Sequence, residues 1–186
     1  FLAATLDVLT RYAPGLRENG GVYTHAATWS VWAYTAAGQP ERAYEAYRKI
    51  CPPNRSADID TYKAEPYVTP GNIDGPLSEY YGRGGWTWYT GSSGWMLRVA
   101  LESLLGLRLE GGRWLRLAPC IPDAWPGYTI RYRPAGDAAG TRYRIEVGNP
   151  DRCAERVVAC SLDGLPLALE QGTCRIPLAT DGREHV

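Results

Sequence analysis

The sequence predicts a protein that is helical first and then folds as an antiparallel β-sandwich, with the change near Gly106. Three observations carry this. Up to residue 105 the apolar side chains recur at three- and four-residue spacing, as on helices with one buried face. Beyond Gly106 they alternate, the period of half-buried strands, and Gly, Pro and Asp punctuate the runs at short intervals. Just before the change, residues 82–95 read Gly-Arg-Gly-Gly-Trp-Thr-Trp-Tyr-Thr-Gly-Ser-Ser-Gly-Trp. They gather glycines, tryptophans and hydroxyls at the mouth of a helix.

Taken in order, Leu2, Leu6, Val8 and Leu9 predict the end of a helix within residues 1–12, stopped by Pro14-Gly15. Arg17-Glu18-Asn19-Gly20-Gly21 then leads into a second helix over residues 26–37. It places Trp29, Trp32 and Ala33 on one stripe, with Val31 and Tyr34 beside it, and Gly38 caps it. Pro40 opens the next helix at a first-turn position, where its missing amide costs nothing, and Ala43, Tyr44, Tyr47 and Ile50 mark its face. Pro52-Pro53 stops it, and the short Gly38-Gln39 link makes an antiparallel helical hairpin. Residues 54–81 are irregular, yet their aromatic and apolar content argues for an ordered, functional loop. Residues 91–105 return to a helix, with Trp95, Val99 and Leu104 near one face. Strands follow at 114–117, 128–132, 143–147, 157–162, 165–169 and 174–178, with Asp163-Gly164 as a hairpin turn.

Composition bounds the partners. Twenty basic and twenty acidic residues cancel, which argues against nucleic acid or an anionic membrane as a partner. One Phe stands against seven Trp and thirteen Tyr, a bias toward aromatics with a polar handle. The five cysteines are odd in number and contain no CxxC pair, which predicts buried free thiols in a reducing, cytoplasmic compartment rather than a disulfide framework. With only His25 and His185, no histidine-rich metal site is expected, and no cofactor is called for. Met96 is the sole methionine and Val186 follows a turn into a further strand, so the chain reads as a fragment or a processed piece.

The candidate chemistry lies in the glycine-led turns. Thr90-Gly91 falls where a helix should begin, and there unpaired amides and the positive end of the dipole favour an anion. His25 stands at a second such start, and the tryptophans offer faces on which sugar rings stack. Glycosidases ordinarily need two carboxylates. An enzyme that uses phosphate as nucleophile needs only an acid, together with donors such as His25, Thr90 and the Gly91 amide. Arg17 and Glu18 could grip sugar hydroxyls or form a solvated pair. Glu65, before Pro66, could do likewise or brace the loop. Arg83 could reach phosphate or pair with a carboxylate. For His25 the competing role is a capping or core histidine, and for Trp86, Trp88 and Trp95 simple packing.

These motifs resemble a known family. Arg17-Glu18-Asn19-Gly20-Gly21-x-x-x-His25, Glu65-Pro66-Tyr67-Val68, the 82–92 stretch and Leu105-Gly106-Leu107-Arg108 are similar to the C-terminal part of glycoside hydrolase family 94, the inverting disaccharide phosphorylases. Pro119-Cys120-Ile121-Pro122 and Trp125-Pro126-Gly127 add a likeness to its cyclic β-1,2-glucan synthetase and β-1,2-oligoglucan phosphorylase branch. The resemblance implies the helices of an incomplete α/α six-hairpin barrel over residues 1–106, followed by a truncated β-sandwich over 107–186. It implies phosphate binding by His25, Thr90 and Gly91, and substrate binding by Arg17, Glu18, Glu65, Arg83 and Trp88. Inorganic phosphate is then a co-substrate, and a β-glucan or β-linked oligosaccharide the substrate. The remainder of the barrel would be a partner, a homodimer would be compatible, and a parent chain could be associated with the inner membrane with this part on its cytoplasmic side.

Two departures matter. The family's general acid is an aspartate upstream of the Glu-Asn-Gly-Gly motif and is not among these residues. Thr69-Pro70-Gly71-Asn72-Ile73-Asp74 replaces a polar segment that contacts acceptors in the disaccharide enzymes, so those contacts do not transfer. The rival expectation is a non-catalytic carbohydrate-binding or scaffolding module, and a third is a hydrolase.

Overall fold

In the computed structural model, which describes residues 11–152 and 156–186, the chain divides into two units. One holds the described residues through Tyr34 together with Arg42–Val99, and the other Thr35–Glu41 with Ala100–Val186. The helix expected over residues 1–12 lies, through residue 10, outside the described residues.

The helices of the first half form where the spacing placed them. Helix α1 is Thr24–Ala36, and Gly38 closes it at φ 65°, a left-handed turn in which glycine has no Cβ to clash. Its buried residues are Thr24, Thr28 and Val31, while Trp29 and Trp32 stay 51% and 41% exposed. The tryptophan stripe is therefore not the most buried face of this helix, although both indoles meet the ring of Trp95. Helix α2 is Pro40–Ile50, with Glu41 in its first turn and Arg48 and Lys49 in its last, each sign matched to the dipole. Pro52-Pro53 does more than stop α2: with proline at the first positions it starts a short helix α3, Pro52–Arg55.

The stretch expected to be irregular is partly regular and firmly packed. Helix α4, Ile59–Tyr62, is capped by Asp58, whose carboxylate accepts from the Thr61 amide at 3.0 Å. Tyr62, Ala64 and Ile73 form a small core, and residues 68–75 are buried without a break. Within this run lies β2, Asn72–Ile73, the centre of a three-stranded antiparallel sheet with β1, Val22–Tyr23, and β3, Gly84–Gly85. Helix α5, Thr90–Arg98, continues as a π-helical turn over Val99–Leu104, where the Leu105 amide reaches back to the Ala100 carbonyl at 2.9 Å.

The second unit is rich in strands. Strands β4, Leu107–Glu110, and β5, Trp114–Leu117, make a hairpin, and β11, Thr173–Pro177, lies beside β5 with β10, Leu169–Glu170, outside it. A second sheet runs β12-β7-β6, with β6 Gly127–Tyr132, β7 Arg142–Gly148 and β12 Glu184–His185. Alternation does its work here: Tyr143 and Ile145 are buried while Arg142, Arg144 and Glu146 face out. Leu107, Leu115, Leu117, Cys174 and Ile176 from one sheet join Tyr143 and Ile145 from the other in one apolar core. Strands β8, Ser161–Leu162, and β9, Leu165–Pro166, pair across Asp163-Gly164 as expected.

Two expectations need correction. The strands are not all antiparallel, because β12 runs parallel to β7 with His185 opposite Tyr143. Nor are all the cysteines free: Cys160 and Cys174 form a disulfide, their Cα atoms 6.2 Å apart. Backbone bonds from Val157 to Gly172 and from Leu167 to Cys160 bring the two segments together, a proximity that linear spacing does not encode. Cys51 and Cys120 are free and half-buried, with burial pushing both thiols up, and Cys153 lies outside the described residues.

Candidate functional site

The small sheet is what brings the glycine-led turns together. Strand β1 runs directly into α1, whose second residue is His25, and β3 leads through Trp86 and Trp88 to the start of α5 at Thr90. The buried segment Thr69-Pro70-Gly71 bonds to both helix starts. The Tyr89 amide donates to the Thr69 carbonyl at 3.1 Å, Ser92 Oγ to Pro70 at 3.2 Å, and the Thr24 amide to Gly71 at 3.1 Å. Two helix N-termini are thereby tied to one segment, each carrying the positive end of its helix dipole.

His25 lies across the opening of α5. A Cβ placed on Gly91 would stand 3.4 Å from His25 Nδ1, so the imidazole looks onto the first turn of that helix. Around the ring are Tyr23, stacked at 5.9 Å between centroids, Trp29 edge-on at 5.5 Å and Trp95 at 5.9 Å. His25 is half-buried in this aromatic box, while Thr90 and Gly91 are exposed. The first turn of α5 is thus open to solvent beside the imidazole.

Arg17 and Glu18 sit in a tight turn, with the Gly15 amide donating to the Asn19 carbonyl at 2.7 Å and the Gly21 amide to Arg17 at 2.8 Å. Arg17 adopts a left-handed φ of 46°, and its Nε is 3.7 Å from Glu18 Oε2. A Cβ on Gly21 would come within 2.5 Å of the Arg17 amide nitrogen and 2.6 Å of Asn72 Oδ1, so only glycine fits there. Trp88 Nε1 donates to Glu65 Oε1 at 3.1 Å. The backbone amide of Glu65 itself, then this indole, hold the Glu65 carboxyl below the usual range. Glu65 thus braces Trp88, which is 65% exposed and crossed by Tyr67 at 6.0 Å. Arg83 turns to the ring of Tyr80, 5.5 Å from its centroid. The described contacts do not bring it to His25 or Thr90.

A family model, that of the glycosyl hydrolase 94 superfamily catalytic domain, matches residues 2–106. The chain belongs to this superfamily. The matched span includes every candidate site residue from Arg17 to Gly91. Among relatives, the chain is 43% identical over 153 residues to the cyclic beta-(1,2)-glucan synthase NdvB of Rhizobium meliloti, covering 80% of this chain and 5% of that protein. It is 33% identical to the N,N'-diacetylchitobiose phosphorylase of Vibrio proteolyticus, over 97% of this chain and 21% of the relative. Against the solabiose phosphorylase of Paenibacillus borealis it is 30% identical, over 98% and 22% respectively. The chain therefore spans about a fifth of the phosphorylases' length and far less of the synthase. Among the described residues no helix is long and apolar enough to cross a membrane.

Sequence reasoning about this glycosyl hydrolase 94 site overlooked two features. Thr69-Pro70-Gly71, noted only as a departure from a pattern, is also the strut under both helix starts; its bracketing by proline and glycine within an apolar loop was the available signal. The aromatic partners of Arg17, namely Tyr12 and Trp86, left no signal in spacing at all.

Proposed function

We propose that this chain supplies the phosphate cradle and part of the sugar subsite of an inverting phosphorylase acting on β-linked glucose oligosaccharides. Helices α1, α2 and α5 would be the last helices of an α/α barrel completed by other parts of the protein. The observation that carries this reading is the closeness of His25 Nδ1 to Gly91 at the mouth of α5.

Thr90 Oγ1, the Gly91 amide and a ring N–H of His25 would each donate to a phosphate oxygen, leaving another oxygen free to attack. That oxygen bonds to the anomeric carbon from the face opposite the departing sugar. The glycosidic bond breaks, the leaving oxygen takes a proton from a carboxylic acid outside this chain, and the β-linkage becomes α-glucose 1-phosphate. Arg17 and Glu18 would hold hydroxyls of the reacting sugar, Arg donating and Glu accepting. Bound phosphate makes a second catalytic carboxylate unnecessary.

In the full-length enzyme, Thr90→Ala and His25→Asn should each raise the phosphate KM about tenfold to a hundredfold, the worth of one hydrogen bond to a charged group. Unchanged phosphate kinetics in both would defeat the proposal. Product analysis with and without phosphate separates it from hydrolysis, which would release free glucose in either case. The rival, a non-catalytic binding module, would be favoured by sugar bound on the sandwich and no anion at Thr90 in phosphate-soaked crystals.

A further inference from the structure

Arg17 is held between two aromatic rings. Its guanidinium carbon lies 4.4 Å from the centre of the Trp86 ring and 4.9 Å from that of Tyr12, and Nη1 donates to the Tyr12 hydroxyl at 3.0 Å. A charged, planar group flanked by ring faces is restrained in direction as well as position, because the attraction is strongest over the face. The side chain is nevertheless 39% exposed and lies beside Glu18.

The backbone is arranged around this clamp. Arg17 and Trp86 both take left-handed φ values, 46° and 50°, which bulky residues rarely adopt. Both carbonyls are anchored: Gly21 donates to Arg17 at 2.8 Å and Gly71 to Trp86 at 2.9 Å. Strain that the surroundings over-determine in this way marks residues set for a task.

We infer that Trp86 and Tyr12 are positioning residues that orient the Arg17 guanidinium toward the sugar, and that this requires arginine rather than any cation. The inference rests on the reading that Arg17 meets sugar hydroxyls. Lysine at position 17 would keep the charge but offers no plane to lie between rings and cannot donate from a rigid fork. Trp86 would then govern the sugar half of the ligand and leave the phosphate half alone, since its ring lies against Arg17 while the rings around His25 are those of Tyr23, Trp29 and Trp95.

The test is calorimetric binding of α-glucose 1-phosphate and, separately, of inorganic phosphate to the full-length enzyme. Trp86→Leu should weaken α-glucose 1-phosphate about three- to thirtyfold, the range of a lost cation–π contact, and leave inorganic phosphate within about twofold. Trp86→Phe, which keeps a flat ring, should recover most of the loss, and Arg17→Lys should behave like Trp86→Leu. If Arg17→Ala weakens the sugar phosphate while Trp86→Leu and Arg17→Lys bind as wild type, the positioning role is wrong and the assignment of Arg17 to the sugar survives. If Arg17→Ala also binds as wild type, both fall. Equal losses for the two ligands in Trp86→Leu would indicate a collapsed loop and overturn the role. Should Trp86→Leu not fold, Arg17→Lys and Tyr12→Phe decide in the same way, the latter with a smaller loss because it removes only the phenol oxygen.

Discussion

Gly91 and Gly21 are both glycines at the candidate site, yet geometry gives them opposite sensitivities. At Gly91 an added methyl meets only the His25 ring, Nδ1 at 3.4 Å and Cε1 at 3.8 Å, ordinary contact distances. Alanine also suits a helical first turn better than glycine. Gly91→Ala should therefore melt within about 2 °C of wild type while phosphate binding falls, because the methyl occupies the space assigned to the anion. At Gly21 the methyl would meet backbone at 2.5 Å. Gly21→Ala should lose about 2 kcal/mol or more in denaturant unfolding, since the turn that holds Arg17 must open and Asn72 must give way to admit it.

On the scale of elements, β12 is tied to its sheet by a buried histidine. His185 Nδ1 lies 2.7 Å from Asp163 Oδ2 and Nε2 3.2 Å from Asp181 Oδ1, its ring stacked on Tyr143 at 5.0 Å. Arg183 approaches Asp181 at 4.0 Å, and the Val186 amide donates to Asp163 Oδ1 at 2.9 Å. The bond to Asp163 is the main reason the imidazole is pushed above its ordinary value, with burial opposing it and Asp181 assisting. A raised histidine stabilises fully below its unfolded value, about 6.5, and that stability is lost as pH climbs through the folded value. Both carboxyls are held down, Asp163 chiefly by His185 and Asp181 chiefly by the Arg183 amide, so their contribution is present above about pH 4 and lost in acid. Thermal melts against pH should show the alkaline decline in wild type and lack it in His185→Asn. The Cys160–Cys174 bridge closes a loop with a separation of 14 residues. Reduction should therefore cost about 3 kcal/mol, read as a lower melting temperature in reductant that Cys174→Ala reproduces without it.

For the whole molecule, the relevant fact is that the chain covers 21% of one phosphorylase relative and 22% of another. Under the proposed reading its donors can hold phosphate but its acid lies elsewhere. The 186 residues alone should thus form no α-glucose 1-phosphate from β-linked glucans and phosphate, by an enzymatic assay for that product. Turnover by the isolated chain would mean that a carboxylate within it, such as Glu18 or Glu65, supplies the proton.

Local chemistry made much of this protein legible before its coordinates. Helices α1 and α2 followed from apolar spacing with Gly38 and Pro40 at their ends, and β5, β6, β7 and β11 from strict alternation, because both periods are consequences of backbone geometry. The candidate anion donors were legible for a similar reason: glycine-led turns into helices are local features. What only the tertiary structure decided are the long-range pairings. The small sheet that sets His25 beside Gly91, the Arg17 clamp, the parallel docking of β12 and the Cys160–Cys174 bridge each join segments far apart in the chain. Their partners are chosen by packing and by where backbone groups find hydrogen bonds, and neither leaves a period in the residues concerned.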